Sequence, residues 1–159
     1  MKLYLMRHAP AHGDRVPDPV KDAKRPITLE GERIANAVAE KFDEEIPRPY
    51  AIYYSPYLRA QETAEVVGKV FGVKPQEKAA LKDTSEYDPF VKDLLADKSN
   101  KRVMLVGHHG RLEHLMALLG DIEKIAQSEI RRYSLKRDLS KFELLDQVKP
   151  SDVGFADKY

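Results

Sequence analysis

Near its start the sequence reads Lys2-Leu-Tyr-Leu-Met-Arg7-His8-Ala9-Pro10, an apolar run that ends in an arginine and a histidine. Residues 3–6 have no polar alternation, which is typical of a central strand covered by helices on both faces. Pro10 cannot extend a strand, so Arg7 and His8 are expected at the strand's carboxyl end. Ligands of open α/β sheets bind at that edge, and a cation beside an imidazole suits an anionic substrate. Taken alone, however, the pair also fits a strand that merely ends in two polar residues.

Composition limits the class of protein. The chain has 159 residues, 42% of them hydrophobic, so residues 1–159 are expected to form one domain with a single core. Lysine and arginine number 27 against 26 acidic residues, and no charge excess marks a binder of nucleic acid or of anionic membranes. We expect neither partner, and any anion site has to be local.

Two absences in the sequence bear on its compartment. There is no cysteine, which fits a reducing environment. Residues 1–6 are too short for the apolar region of a secretory signal, and no apolar run is long enough to span a bilayer. The sequence therefore predicts a cytoplasmic protein.

Helical and strand patterns alternate after the first strand. Thr28 is a typical N-cap, and apolar side chains recur at helical spacing over Leu29–Glu45. Ala51–Tyr54 predicts a second strand, after which Ser55-Pro56 has the pattern of an N-cap followed by proline at the first helical position. The helix that follows places Arg59 in its first turn, at the same edge of the sheet as the first arginine and histidine.

The second half of the chain continues this alternation. Residues 73–76 predict a short strand, and Asp88-Pro89 predicts the start of a short helix. Residues 103–106 form a second run without polar alternation, which ends in Gly107-His108 and leads into another helix. The histidine is thus expected between a strand end and a helix N-terminus, where backbone N–H groups favour an anion.

The remaining patterns complete the predicted fold. Ile130–Leu135 and residues 142–144 predict two strands joined around Asp138, an antiparallel hairpin at the margin of the sheet. The fold class is therefore α/β, a single-domain three-layer sandwich with a mostly parallel sheet and an antiparallel strand near its margin. Residues 11–26 are rich in proline and charge and predict a surface loop. Its basic residues either fold over the site's edge or serve as a solvated connection.

Four separated stretches share a pattern with known proteins. They are Leu5-Met-Arg7-His8, Arg25-Pro-Ile-Thr-Leu-Glu-Gly31, Ser55-Pro-Tyr-Leu-Arg59-Ala-Gln-Glu-Thr-Ala64 and Leu105-Val-Gly-His108. In their order and context they resemble the histidine phosphatase superfamily, and the short chain is most similar to its SixA-type phosphohistidine phosphatase branch. The resemblance covers residues 1 to about 120 and implies a phosphoglycerate-mutase-like fold.

The resemblance also implies roles for individual residues. His8 corresponds to the nucleophile that accepts a phosphoryl group, while Arg7, Arg59 and His108 correspond to residues that hold its oxygens. Phosphoryl transfer asks mainly for positioning and charge neutralisation, which two guanidinium groups supply. The nucleophile must be neutral on its attacking nitrogen, whereas His108 is useful when protonated. Arg25 matches an arginine at the phosphate in the SixA-like branch, and is otherwise an ordinary solvated loop residue.

The sequence departs from the family at several positions. Ala9 replaces a glycine, which is tolerated if the backbone there does not need a positive φ. His109-Gly110 replaces an acidic residue and a proline, which changes the wall of the pocket. The general acid of larger family members has no clear match. Asp83 and Glu86 lie in the right interval, but we interpret both as surface charge.

No metal or other cofactor is predicted. His8 and His12 have the spacing of a helical zinc pair, but Pro10 lies between them and no helix is expected there. A metal site would need further converging ligands, for which His109 and His114 are the other histidines available. The arginines at this edge would repel a cation.

The predicted function is that of a metal-independent phosphohydrolase with a covalent phosphohistidine intermediate, acting on phosphohistidine in a protein. A phosphatase of small phosphomonoesters is the first alternative, because fold and phosphate pocket do not choose the leaving group. A phosphoramidate can be protonated on its own nitrogen, which fits the weak signal for an enzyme acid. A non-catalytic phosphate-binding module is the alternative from another class.

Overall fold

A computed structural model of the chain describes residues 1–82, 85–97, 99, 101–136 and 142–159. Its strands are β1 (Lys2–Arg7), β2 (Ala51–Tyr54), β3 (Gln76–Glu77), β4 (Arg102–Gly107), β5 (Ile130–Leu135) and β6 (Phe142–Val148). Its α-helices are α1 (Pro19–Ala23), α2 (Leu29–Glu45), α3 (Leu58–Phe71), α4 (Tyr87–Ala96) and α5 (His109–Leu118), with short 3₁₀ helices at Ala79–Leu81 and Pro150–Val153. No helix in the described ranges is long and apolar enough to cross a membrane.

The described strands form one sheet in the order β3-β2-β4-β1-β5-β6. The pairs β3–β2, β2–β4 and β4–β1 are parallel, whereas β5 runs antiparallel to both β1 and β6. The predicted α/β fold, with a mostly parallel sheet and an antiparallel strand near its margin, is confirmed. The predicted hairpin is also present, although β6 extends further than residues 142–144, and Asp138 lies outside the described residues.

The first strand lies at the centre of the sheet, between β4 and β5. Leu3, Tyr4, Leu5 and Met6 are all fully buried. Tyr4 and Met6 pack in the core formed with α2 and α3, whereas Leu3 and Leu5 pack in the core formed with α4 and α5. The run lacks polar alternation because both of its faces are covered, as predicted.

The start of α2 is tied to the chain that follows His8. Thr28 is the predicted N-cap, and its Oγ1 accepts a hydrogen bond of 2.9 Å from the N–H of Gly31. A Cβ at Gly31 would clash with the carbonyl oxygen of Pro10, so only glycine permits this approach. The N–H of Thr28 donates to the same carbonyl at 2.9 Å. These contacts fix the backbone immediately after the histidine.

Two predicted helix starts are wrong. Ser55 does not cap α3, which begins at Leu58 after Tyr57, because the serine hydroxyl bonds a residue of another element. α4 begins at Tyr87, so Asp88 lies inside its first turn rather than capping it. Pro89 is tolerated there because the first turn of a helix does not use its N–H groups.

The third strand begins later in the sequence than predicted, because of Pro75. β3 comprises Gln76–Glu77 rather than residues 73–76, and it pairs with Tyr53 and Tyr54 of β2. Pro75 precedes the paired residues and has no N–H to give to a ladder. The strand therefore begins only after it.

The predicted surface loop, residues 11–26, contains a helix that was not predicted. Asp18 caps α1, and its carboxylate accepts from the N–H of Val20 at 2.9 Å. A helix of five residues is too short to show an apolar period in the sequence. The segment returns to the site through a bridge between Ala11 and Ile27. Of the two interpretations of this loop, the structure shows the one in which it folds over the sheet edge.

Candidate active site

The carboxyl edge of the sheet brings together four of the predicted site residues. Arg7 ends β1 and is paired with Gly107 at the end of β4, so His8 and His108 follow neighbouring strands. The two imidazole rings lie 5.4 Å apart between centroids. Arg59, the second residue of α3, reaches the same edge. Arg7, His8 and Arg59 are only 7%, 8% and 6% exposed.

The orientation of His8 determines which nitrogen can react. Its Nδ1 lies 2.8 Å from the carbonyl oxygen of Ala9. Because a carbonyl only accepts, Nδ1 carries the proton and Nε2 keeps its lone pair. Burial lowers the pKa of His8 well below its usual value, and the neighbouring His108 acts in the same direction. The imidazole is therefore neutral, as attack by Nε2 requires.

The residue after His8 connects the strand end to α3. The N–H of Ala9 donates to Oγ1 of Thr63 at 2.9 Å, and that hydroxyl donates to the carbonyl of Arg59 at 2.6 Å. Ser128 is the only non-glycine residue in the described ranges with a positive φ. Ala9 thus needs no glycine conformation, and the departure from the family pattern is accommodated.

The two arginines share one arrangement. Nη1 of Arg7 donates to the carbonyl of Ile125 at 2.9 Å, and Nη1 of Arg59 donates to the carbonyl of Asp22 at 2.9 Å. In each guanidinium, Nε is buried and has no hydrogen-bond partner within the described structure. A buried donor without a partner is costly, so an anion that accepts from either Nε–H group is favoured here.

The carbonyl that anchors Arg7 belongs to a segment held by buried charges. Arg131 of β5 is fully buried and donates to Glu129 at 2.6 Å, to Asp121 at 2.8 Å and to the carbonyl of Lys124 at 2.7 Å. These bonds fix the chain on both sides of Ile125. The role of Arg131 was not predicted, because β5 contains two neighbouring arginines and the sequence does not show which of them is buried.

His108 differs from His8 in its partners. Its Nε2 lies 2.9 Å from Oγ of Ser55, which is fully buried, and its Nδ1 is buried without a partner in the described structure. Burial lowers the pKa of His108 to about 3, with a smaller contribution from the charge of Arg59. The side chain is therefore neutral in this structure. A nearby phosphate dianion raises the pKa of an imidazole, and we therefore predict that His108 becomes protonated when phosphate is bound.

Asp22 is a site residue that was not predicted from the sequence. It is 7% exposed, and its carboxylate accepts from Nη2 of Arg59 at 3.2 Å and from Nε of Arg25 at 2.9 Å. Burial raises the pKa of this carboxyl, but the two arginines outweigh that effect and hold the pKa below its usual value. The only signal in the sequence was the Asp18-Pro19 pair, which is typical of a helix start.

Arg25 is engaged by the loop itself. Besides Asp22, it donates to the carbonyls of Gly13 at 2.9 Å and His12 at 3.2 Å. The carboxylate of Asp22 therefore lies between the side chains of Arg25 and Arg59 and accepts a hydrogen bond from each. Its contact with a phosphate stays a prediction.

Tyr57 forms part of the wall of the site. Its ring centroid lies 4.9 Å from that of His108, and the guanidinium carbon of Arg59 lies 4.8 Å from the same tyrosine ring. On its outer side Tyr57 lines an open groove of about 370 Å³ together with Arg15, Pro17 and Pro19 of the loop. Tyr57 thus lies between this groove and the rings and guanidinium group at the sheet edge, and Asp22 also lines the groove.

The other titratable candidates that the structure describes are exposed. Glu86 is exposed at the start of α4, and Asp83 lies outside the described residues. His12, His109 and His114 are exposed. Over the described ranges, no group of three or more His, Cys, Asp or Glu side chains is arranged to hold a metal ion.

Comparison with known families agrees with this geometry. Residues 3–86 match the family model described as the histidine phosphatase superfamily (branch 1). The chain belongs to this superfamily, as predicted. An uncharacterized protein of Picosynechococcus sp. is 32% identical over 111 residues, which span 68% of this chain and 66% of that protein.

Solved structures show the same fold. The protein histidine phosphatase SixA complexed with tungstate has a TM-score of 0.79 at 21% identity, over 96% of this chain and 99% of that one. A mycobacterial glucosyl-3-phosphoglycerate phosphatase with inorganic phosphate has a TM-score of 0.69 at 18% identity, over 91% of this chain and 95% of that one. The predicted phosphoglycerate-mutase-like fold is confirmed.

Proposed function

We propose that the protein is a phosphohydrolase in which His8 is the nucleophile. One observation carries the proposal: a buried, neutral imidazole with its proton held on Nδ1 by Ala9 lies at the same sheet edge as two anchored arginines. The Nε–H groups of Arg7 and Arg59 have no partner in the described structure. A lone pair at the same sheet edge as two cationic donors without partners suits attack on a phosphoryl group.

The reaction has two steps. In the first, the lone pair of His8 Nε2 forms a bond to phosphorus while the bond to the leaving group breaks, and the electron pair departs with that group. In the second, water attacks phosphorus, the N–P bond breaks, and inorganic phosphate leaves with the lone pair returned to Nε2. Arg7, Arg59 and His108 offset the charge on the phosphoryl oxygens in both steps. No metal ion is needed in this scheme.

Phosphohistidine in a protein is the substrate that we propose. The groove beside Tyr57 is open and lies on the surface, so the side chain of another protein can reach it. A phosphohistidine that is already protonated on its other ring nitrogen leaves as a neutral imidazole and needs no proton from the enzyme. The two acidic residues that are buried in the described structure, Asp22 and Glu129, are each bound to an arginine. SixA, which has this fold, is described as a protein histidine phosphatase.

A phosphatase of small phosphomonoesters is the second candidate. The mycobacterial glucosyl-3-phosphoglycerate phosphatase has the same fold, so the architecture accommodates such substrates. An alkoxide is a poorer leaving group and depends more on a protein acid. If small phosphomonoesters are the substrates, Asp83→Asn or Glu86→Gln should lower their hydrolysis. Turnover of phosphohistidine should be nearly unchanged by either substitution.

A side-by-side assay tests the proposal. The chain is given a phosphohistidine protein and a panel of phosphomonoesters, with a chelator present, and kcat/KM is compared. We expect phosphohistidine to be preferred and His8→Ala to be inactive. A preference for a phosphomonoester would favour the second candidate. Binding of inorganic phosphate without turnover of any substrate would identify a non-catalytic module instead.

A further inference from the structure

Asp22 places a negative charge beside an arginine that is proposed to bind phosphate. Its carboxylate accepts from Nη2 of Arg59 at 3.2 Å, and its carbonyl accepts from Nη1 of the same arginine at 2.9 Å. A carboxylate that close to a phosphate site opposes anion binding unless its charge is offset. Its position therefore calls for a physical reason.

The hydrogen bonds of Arg59 supply that reason. With both terminal nitrogens held by one residue, the guanidinium plane is fixed, and Nε remains buried without a partner in the described structure. A guanidinium has five N–H donors, so a phosphate can bind along the Nε edge while Asp22 keeps the terminal end. Nε of Arg7, which is anchored on Ile125, is likewise buried without a partner in the described structure.

Arg25 offsets the charge of Asp22. Its Nε lies 2.9 Å from the carboxylate, in a pair whose side chains are 17% and 10% exposed. At the position proposed for the phosphate, the electrostatic effects of the paired charges of Arg25 and Asp22 largely cancel. Asp22 can thus orient Arg59 without strongly repelling the substrate.

We propose that Asp22 is a positioning residue for phosphoryl transfer, which fixes Arg59 so that its Nε edge faces the transferred group. The inference rests on the proposed function and extends it, because it gives α1 and the loop before α2 a part in the chemistry. Fixed donors stabilise a transition state more than a ground state, since they do not reorganise during the reaction. Loss of Asp22 should therefore reduce kcat more than it weakens phosphate binding.

Asp22→Asn tests this, with Asp18→Asn as its matched control. Asp18 carries the same charge in the same loop, but it is exposed, and its carboxylate accepts from the N–H groups of Val20 and Lys21 at the start of α1. For Asp22→Asn we expect kcat to fall at least about tenfold, while the inhibition constant of inorganic phosphate stays the same or falls. Phosphate binding is not weakened because Arg25 is left with an unopposed charge. The control should stay within about twofold of the parent in both quantities.

Other patterns would overturn the proposal. Tighter phosphate binding with kcat unchanged or raised would make Asp22 a competitor of the substrate. A parallel loss of kcat, phosphate affinity and thermal stability, seen also with Asp18→Asn, would make it a purely structural part of the loop.

Two measurements separate this inference from the proposed function. In an Arg59→Lys background, Asp22→Asn should lower kcat by less than about threefold, because the group that it positions is gone. An undiminished effect would contradict the inference. Vanadate mimics the five-coordinate geometry of phosphoryl transfer, and its affinity relative to inorganic phosphate should fall in Asp22→Asn. The ratio of vanadate affinity to phosphate affinity is measurable even if the parent turns over neither phosphohistidine nor a phosphomonoester. An unchanged ratio in Asp22→Asn would overturn the role of Asp22 but not the proposed function.

Discussion

Arg59 combines two roles that a lysine cannot reproduce. Its terminal nitrogens bind Asp22, and its Nε–H has no partner in the described structure. Arg59→Lys keeps the charge but loses the planar fork, so kcat/KM should fall at least about tenfold, or about 1.4 kcal/mol of transition-state stabilisation. Steady-state kinetics measure this. Arg48→Lys, which alters an arginine bonded to the carbonyl of Phe71, is the control and should match the parent. An Arg59→Lys variant as active as the parent would show that Arg59 does not bind the transferred phosphoryl group.

With His8 as the proposed nucleophile, its protonation should set the acid limb of the pH profile of kcat/KM. Burial holds the pKa of this histidine well below the usual value of 6.5. Lowering the pH through that pKa protonates Nε2 and stops attack, so kcat/KM should be retained at pH values where an ordinary histidine is already charged. The profile is measured with a correction for the substrate's own titration. An acid limb at or above the ordinary histidine pKa would contradict a buried neutral nucleophile.

Among the elements, the start of α2 holds the chain that follows His8. Gly31 lies against the carbonyl of Pro10, and a Cβ there would clash with it. Gly31→Ala should cost about 1–3 kcal/mol of unfolding free energy, as overpacking usually does, and should lower activity by displacing the chain after His8. Urea unfolding and the phosphatase assay measure the two effects.

The control for that change lies in the first turn of another helix. Gly110 of α5 has nothing within 4 Å of the position that a Cβ would take. Gly110→Ala should therefore leave the free energy of unfolding unchanged or raise it by up to about 1 kcal/mol. A Gly31→Ala variant as stable as the parent would show that α2 is not held in the way described.

At the level of elements, local patterns predicted what local forces decide. The bounds of α2 followed from a cap and an apolar period. Ser55 had the pattern of a cap but bonds His108, because a partner distant in sequence competes for its hydroxyl. The positions of Asp22 and of the buried Arg131 depend on such tertiary partners and left only faint signals in the sequence.

For the whole molecule, buried neutral histidines make stability depend on pH. The pKa of His108 is about 3 and that of His8 is well below 6.5, whereas both are ordinary in the unfolded chain. Below about pH 6.5 the unfolded state therefore binds protons that the folded state does not, and stability falls with pH by up to about 1.4 kcal/mol per unit for each histidine. For His108 this loss continues down to its folded pKa of about 3.

Urea unfolding of the parent and of His108→Gln between about pH 7 and pH 5 tests this dependence. Removing one of the two histidines should lower the slope of unfolding free energy against pH by up to about 1.4 kcal/mol per unit. Equal slopes for the two proteins would contradict a buried, neutral His108.

The fold class was predictable because two apolar runs without polar alternation lay within a repeated strand and helix pattern. β1 and β4 are adjacent and parallel, so their carboxyl ends placed His8 and His108 together, as expected. The hydrogen bonds that orient the arginines were not predictable, because they come from the 11–26 loop and from the segment before β5. Those segments have no periodicity, and their conformation is set by burial and charge pairing.

The central claim is that His8 becomes covalently phosphorylated. The most direct measurement is rapid quenching of the chain with a radiolabelled phosphohistidine protein, followed by location of the label in the chain. We predict an acid-labile, alkali-stable label on His8, absent from His8→Ala and retained in His12→Ala, which alters an exposed histidine of the adjoining loop. Undiminished label in His8→Ala, or label on another residue of the parent, would contradict the account.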